Sequence, residues 1–500
     1  MIQSWSWPRQ MIVLAVVVPL ALVVGYMLAT PDSSRTFLFL LLVVGVLSMP
    51  IFLRWHHPLL ALAWNASAYF VLLPGQPPLW LLFAFISLTI TVLNKVMESE
   101  SPWLNVPSVT RPLLFLALVV IVTTQLTGGW GLAALGSETY GGKKTVLVIA
   151  AMVGFFALST QPVPLAKAQR YLGMYTLSSL TAMLSNLAYI GGPAFYFLYY
   201  VIPTDFAMSQ AVEDYYSSAL AVRFSRLTGV TVAATGLFQY LLARYGIRGV
   251  FQSPVRIVLM AGLLALTTLG GFRSALVLCG LAFAIQFFLE GLHRTRLLIV
   301  LLVSGVLTGA LLVPFAQQLP LSVQRAISFL PIEVDPFAKA DAQSSTEWRW
   351  DMWRVVASQI PKYFWLGKGY AINPTDLYLA EESRRRGLAM PYEVAMISGD
   401  YHSGPLSIQI SFGIFGTVGF IWFQLACLRM LYRNYRWGDP SLKIINTFLL
   451  AWFAARIICY WFLFGAFNSD LMVFTGLAGL SICLNHGMAK PPEEKAVAPA

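Results

Sequence analysis

The chain has 500 residues, 58% of them hydrophobic and only 11% charged, with a formal net charge of +11. Soluble domains carry about 25% charged residues, so little room remains for a separate soluble domain. The positive charge does not point to nucleic acid: no basic patch with interleaved aromatics lies outside the apolar runs, and basic residues retained in cytoplasmic loops give the same excess.

Apolar runs of about 16–25 residues, enough to cross a bilayer core, predict an all-α polytopic membrane protein of about 14 spans. In chain order they fall at 10–30, 36–53, 58–74, 79–94, 112–127 and 145–163. A long run at 171–202 follows, interrupted by Gly191-Gly192-Pro193, and a split there into two spans would change the parity upstream. The remainder are 228–243, 255–271, 273–291, 297–314, 405–428, 443–464 and 468–486. The first run follows Arg9 and has no small-residue cleavage site, so it reads as a helix rather than a signal peptide. The expected division is 1–170, N-terminal spans; 171–315, central spans; 316–404, a hydrophilic loop; 405–488, C-terminal spans; and 489–500, a disordered tail. Cys279, Cys427, Cys459 and Cys483 lie in or beside apolar runs, with neither metal-ligand nor disulfide spacing.

Lysine and arginine set the orientation. Arg9, Arg54, Lys95, Arg111, Lys167, Arg170, Arg244, Arg248, Arg256, Arg294, Arg296, Arg429, Arg433, Arg436, Lys443, Lys490 and Lys495 fall on one side. The short loops of the other side hold only Arg35, Lys143, Lys144, Arg223, Arg226 and Arg273. Both termini are therefore expected in the cytoplasm, and the loop 316–404 outside, with helices near 348–359 and 376–386. A loop of that length without function would be unusual.

Orientation sorts the polar residues. His56, His57, His293 and His486 fall at cytoplasmic ends, leaving His402, in Asp400-Tyr401-His402-Ser403, as the external histidine. A lone histidine is commonly a structural hydrogen-bonder, but this one sits where a lipid-linked substrate would present its head group. Arg226 precedes one span, and Arg273 lies in the tight turn Gly270-Gly271-Phe272-Arg273-Ser274. Each would otherwise snorkel to lipid phosphate; beside exposed helix-end amides, a fixed guanidinium makes an anion site. Arg456 lies inside a span, with Asp470 as its candidate partner, so a structural ion pair and a functional charge are both open. Together these residues suggest a site for a phosphate or diphosphate head group, with a histidine able to deprotonate an acceptor hydroxyl. The external loop has no Asp-x-Asp pair or His/carboxylate cluster, so the expectation is a metal-independent reaction without a cofactor.

Four elements resemble the O-antigen ligase and Wzy-type polysaccharide polymerase superfamily. Arg226-Leu227-Thr228-Gly229 resembles its Arg-x-x-Gly element, and Gly271-Phe272-Arg273-Ser274-Ala275 its Gly-x-Arg-x-Ala turn. Arg349-x-x-x-Trp353 with Pro361 and Gly367-Lys368-Gly369 resembles its loop element. His402-Ser403 with Leu406, Gly413, Gly416 and Gly419 resembles the histidine segment that enters a glycine-rich helix. The resemblance covers about residues 170–430 and implies a GT-C-like bundle in a bacterial cytoplasmic (inner) membrane. It implies transfer or polymerisation of an undecaprenyl-diphosphate-linked glycan onto a glycan or lipid acceptor, alongside other polysaccharide-assembly proteins. By the same resemblance His402 is the catalytic base, Arg226 and Arg273 bind the diphosphate, and Arg349 orders the loop or contacts glycan; Arg456 and Asp470 are secondary.

A flippase for the same lipid-linked sugar would need charges lining a path through several spans, and the sequence places only Arg456 at membrane depth. A non-catalytic assembly factor would leave His402 dispensable. Topology is directly testable: a cysteine at Ser345 should react with an impermeant thiol reagent from outside intact cells, and protection there would overturn the orientation.

Overall fold

The computed structural model describes residues 17–19, 21–23, 25–26 and 34–491, apart from 71–72, 74, 99, 101, 133–136, 138–139, 209–210, 212–225 and 389. Most of the expected span at 10–30 lies outside the described residues, as do Arg9, Arg223, Lys495 and the tail from 492. Packing divides the chain into residues 1–56 and 57–500. Among the described residues the regular structure is helical, and extended backbone pairs only at two isolated bridges, Tyr69–Pro78 and Tyr140–Ile372.

In the first unit the described residues between 17 and 26 are helical, and the rest belongs to helix α1, Ser34–Ala63. This helix corrects the expectation of two spans at 36–53 and 58–74. The run Arg54-Trp55-His56-His57-Pro58 reads as a loop, yet it stays helical. One reason is visible at His57, whose ring nitrogens lie 2.9 Å from the Leu158 carbonyl and 3.2 Å from the Tyr171 hydroxyl. Packing satisfies the imidazole, so it needs no aqueous loop. The cytoplasmic N-terminus rested on the parity of two spans here.

The second unit continues with α2, Leu79–Met97; α3, Pro107–Thr127; α4, Gly142–Ser159; α5, Ala168–Leu177; and α6, Met183–Gly191. Then come α7, Thr228–Phe251; α8, Pro254–Thr267; α9, Arg273–Leu289; and α10, Arg296–Leu312. Four polar helices follow: α11, Leu321–Ile327; α12, Pro336–Ala357; α13, Pro374–Arg385; and α14, Glu393–Ser398. The chain closes with α15, Gly404–Trp437; α16, Lys443–Phe462; and α17, Phe467–Asn485. Among the described residues 7 helices are long and apolar enough to cross a membrane, and the α8 and α9 segments are shorter apolar helices.

The run expected over 171–202 breaks into α5, a 3-10 stretch and α6, which ends at Gly191. Gly192 takes φ 81°, ψ −166°, and Pro193 begins a short 3-10 turn. The chain then folds back, so that Ser185 donates to the Pro203 carbonyl at 2.8 Å and the Tyr199 hydroxyl to Ser185 O at 3.0 Å.

Small residues let these helices pack closely. Cβ atoms at Gly154 and Gly476 would collide with the indole of Trp64, which is fully buried between them. Contacts between membrane helices favour small residues because close backbone approach maximises van der Waals contact. Hydrogen bonds then mark two ends of the bundle. At one, Glu290 accepts from Ile247 N and Arg248 N, the Tyr435 hydroxyl donates to Leu289 O, and Val163 N donates to Cys483 O. At the other, Leu227 N donates to Leu269 O, and Phe467 N to the Ser407 hydroxyl.

One irregular segment is built into this second end. Helix α15 breaks at Gly413, with φ 62° and ψ −162°, which frees backbone groups before and after it. The loop 364–369 takes them up: Lys368 N donates to Ile410 O, Gly369 N to Ser411 O, and Ile414 N to Phe364 O, at 2.7–2.9 Å. Thr123 donates to Leu366 O from α3. Non-helical backbone survives among transmembrane helices only when its polar groups are satisfied in this way. Gly367 has φ 77°, and a Cβ there would fall inside contact distance of the Ser411 carbonyl. Gly367→Ala should therefore destabilise the protein by about 1–3 kcal/mol, read as a lowered midpoint in thermal unfolding of the purified protein. Gly280→Ala is the control, because its Cβ meets nothing within 4 Å. Equal midpoints for the two variants would contradict this account of the loop.

Candidate active site

Asn186 prepares the first arginine. Its carboxamide oxygen accepts from Gly229 N at 2.7 Å and Val230 N at 3.2 Å, capping the start of α7 from a neighbouring helix. Unpaired amides at a helix start need such a partner. Arg226 thus leaves the chain at a fixed point, and its Nη2 reaches Asp341 Oδ2 at 3.1 Å.

The turn before α9 is held with equal economy. Gly270 N donates to the Thr231 hydroxyl at 2.8 Å, and Gly271 adopts a left-handed φ of 68°. Its carbonyl accepts from Arg325 Nη1 at 2.5 Å, and Arg325 Nε donates to the same Asp341 oxygen that Arg226 contacts. Arg273 opens α9 and donates from Nη2 to the Ala342 carbonyl and the Thr346 hydroxyl, both at 2.9 Å. Three arginines therefore meet one short stretch of α12, where a single carboxylate is shared between two of them.

Helix α12 forms locally because Asp335 caps it, accepting from Phe337 N at 2.8 Å, and Pro336 occupies its first position. About one turn beyond Thr346 it presents Arg349. Among the described residues the buried Arg349 Nε has no hydrogen-bond partner. The guanidinium carbon lies 5.8 Å from the Phe464 ring, a cation–π distance. Burial, then the charges of Arg273 and Arg325, push the Arg349 pKa below its ordinary value. One turn further, Trp353 Nε1 donates to Tyr401 O at 2.7 Å, fixing the backbone beside His402.

His402 has a left-handed φ of 48°, one of three such non-glycine residues among those described. This backbone is costly for most side chains and concentrates at functional sites. The ring lies beside Phe464, with centroids 5.7 Å apart and nearly stacked, and beside Trp348 at 5.5 Å. Tyr401, 1% exposed, anchors the segment in a small core with Met352, Val356 and Ile410. On the far side Lys144 binds Asp400 at 2.7 Å and the Ser398 carbonyl at 2.6 Å. Burial pushes the His402 pKa below 6.5; Arg349 and Lys144 add to that, and Asp400 opposes it.

The geometry brings Arg226, Arg273 and Arg349 onto one helix and sets His402 beside it. Arg456 and Asp470 form a separate pair, 3.6 Å apart, in which Asp470 also accepts from Ala466 N at 2.8 Å. That pair adjoins the histidine segment through Ser407, which accepts from Phe467 N and donates to Gly404 O. Sequence reasoning missed Arg325, which is 6% exposed, and Asp341. Both are ordinary charges in a charge-balanced loop, and no local pattern separates them from their neighbours. Chemically, the arrangement offers clustered cations for an oxyanion and a neutral imidazole for a proton.

These features define a multi-pass helical membrane protein with an arginine-rich polar site at one end of its bundle. Residues 255–421, roughly a third of the chain, match the family model described as O-antigen ligase, which places this domain in the O-antigen ligase and Wzy-type superfamily. The match takes in Arg273, Arg325, Asp341, Arg349 and His402 and leaves Arg226 outside it. It supports a glycosyl-transferring role in surface-polysaccharide assembly. No curated protein matches the chain.

If His402 must be neutral to act, activity should hold down to mildly acid pH, with an acid limb centred below 6.5. Arg349→Gln removes a nearby positive charge and should move that limb upward. A wild-type limb above 6.5, or one that the substitution leaves in place, would show that another group titrates.

Proposed function

We propose that the chain is a metal-independent membrane glycosyltransferase that joins or polymerises undecaprenyl-diphosphate-linked oligosaccharide on the outer face of a bacterial inner membrane. The observation that carries this reading is the convergence of Arg226, Arg273 and Arg325 on α12, with Arg349 two turns along it towards His402. Among the described residues four guanidinium groups gather around one carboxylate, and the net positive charge there is what a diphosphate would neutralise.

In this reading the acceptor hydroxyl gives its proton to the His402 imidazole as its oxygen bonds to the anomeric carbon. The bond from that carbon to the phosphate oxygen breaks, and its electron pair leaves on the diphosphate, stabilised by the arginines. Attack opposite the leaving group inverts the anomeric centre. Arg226 and Arg273 hold the diphosphate, Arg349 orders the histidine side of the site, and the Arg456–Asp470 pair supports the segment behind it. The loop 316–404 is outside the cytoplasm in this arrangement, and the C-terminus inside. Acceptor glycan or lipid, ligase or polymerase, depends on what the site admits beyond His402.

The test is transfer from lipid-linked oligosaccharide in proteoliposomes. His402→Asn, which tolerates the left-handed backbone, should lower turnover by about 10²–10⁴-fold, and Arg273→Ala should lower it comparably in protein that still folds, with a lowered unfolding midpoint from the lost Ala342 and Thr346 contacts. Full transfer by both folded variants would falsify the proposal. The glycolipid profile of a deletion strain then separates the two activities, with uncapped short chains for a polymerase and unattached lipid-linked polymer for a ligase.

A further inference from the structure

The face of α12 turned away from the arginines borders a cavity of about 710 Å³. Its lining includes Glu347, Trp348, Asp351, Arg354, Met390 and Tyr392. An adjoining cavity of about 540 Å³ shares Glu347, Asp351 and Arg354 and adds Trp350. Volumes of about 300–1,000 Å³ are those of small-ligand sites.

The lining is chemically specific. Aromatic side chains offer flat apolar faces to the C–H surface of a sugar ring. Carboxylates accept from hydroxyl groups, and a guanidinium donates to them. Arg354 lies 3.6 Å from Asp351, which leaves Glu347 as the uncompensated charge and makes the groove weakly acidic. The arginine cluster across the helix has the opposite sign, so the two sites repel and attract different parts of a substrate.

Trp348 joins them. It lines the cavity and also stands 5.5 Å, ring to ring, from His402. The next residue, Arg349, lies 5.8 Å from the Phe464 ring, which itself stacks near His402. His402 therefore neighbours both Trp348, which the groove shares, and Phe464, which Arg349 approaches. A sugar ring seated against Trp348 would therefore lie near that base.

We infer that this groove seats the sugar end of the acceptor, an uncharged glycan with vicinal hydroxyls, and delivers one hydroxyl to His402. The inference rests on the glycosyl-transfer reading above and names the side from which the acceptor comes. Stacking on Trp348 sets the ring's distance from the imidazole, and Glu347 and Asp351 fix its rotation.

Two measurements test it on the full-length protein in nanodiscs. The probe is the neutral oligosaccharide fraction released by mild acid from the surface glycan of the source cell. Calorimetric titration of this probe into His402→Asn should show binding, about tenfold weaker when Glu347→Gln and Asp351→Asn are added. In the catalytically intact protein the same pair should raise the acceptor KM about tenfold, leaving donor KM and kcat at saturating acceptor within about twofold. Both carboxylates are exposed, so the pair should leave the unfolding midpoint in place. Unchanged probe binding or an unchanged acceptor KM would overturn the groove, and a rise in donor KM instead would assign it to the donor. Should His402→Asn retain full transfer, the catalytic reading fails alone, and the titration still decides whether the groove binds glycan.

Discussion

Like charges do not gather without a reason, and the second end of this bundle is organised around that constraint. Arg226, Arg325 and Arg273 come from three separate segments and meet at Asp341, Ala342 and Thr346 of one helix. Asp341 offsets part of the repulsion, and the Ala342 and Gly271 carbonyls offset more. Buried charge is tolerated only when paired or hydrogen-bonded. The helix Pro336–Ala357 is therefore clamped to the membrane bundle by the same contacts that collect the positive charge, and its position in turn fixes Arg349, Trp353 and the His402 backbone.

The second organising element is the exchange of backbone hydrogen bonds between the loop 364–369 and the broken helix Gly404–Trp437. The break and the loop each lack partners that the other supplies. Tyr140 and Ile372 extend this seam as an isolated bridge, and Lys144, two residues into its helix, reaches Asp400. The histidine segment is thus held from below by the broken helix, from the side by Lys144 and from above by Trp353.

Much of this was legible in the chain, and the remainder was not for definable reasons. Long apolar runs locate most helices because a bilayer imposes length and hydropathy together. Where polar residues interrupt a run, sequence cannot say whether water or a distant side chain satisfies them. His57 is held by Leu158 and Tyr171, about a hundred positions away, and so one helix stands where two spans were expected. At the site, glycine-flanked and span-adjacent arginines stood out because their surroundings were apolar. Arg325 and Asp341 did not, since a charged residue in a polar loop carries no contrast. Trp348 was hidden for a related reason: a tryptophan in a mixed helix is commonly packing, and only its distance to His402 sets it apart.

The helix Arg296–Leu312 has no buried residue, although Leu297, Leu298 and Leu301 near its start touch the core. Among the described residues, neighbouring side chains therefore hold it mainly at that start. Mismatch between a span and its bilayer costs fractions of a kcal/mol per ångström and is relieved by tilt or vertical shift. This helix leads through the 3-10 segment Val313–Gln318 to Leu321–Ile327, the helix that carries Arg325. The arginine cluster is thus joined in the chain to a helix that little else among the described residues holds.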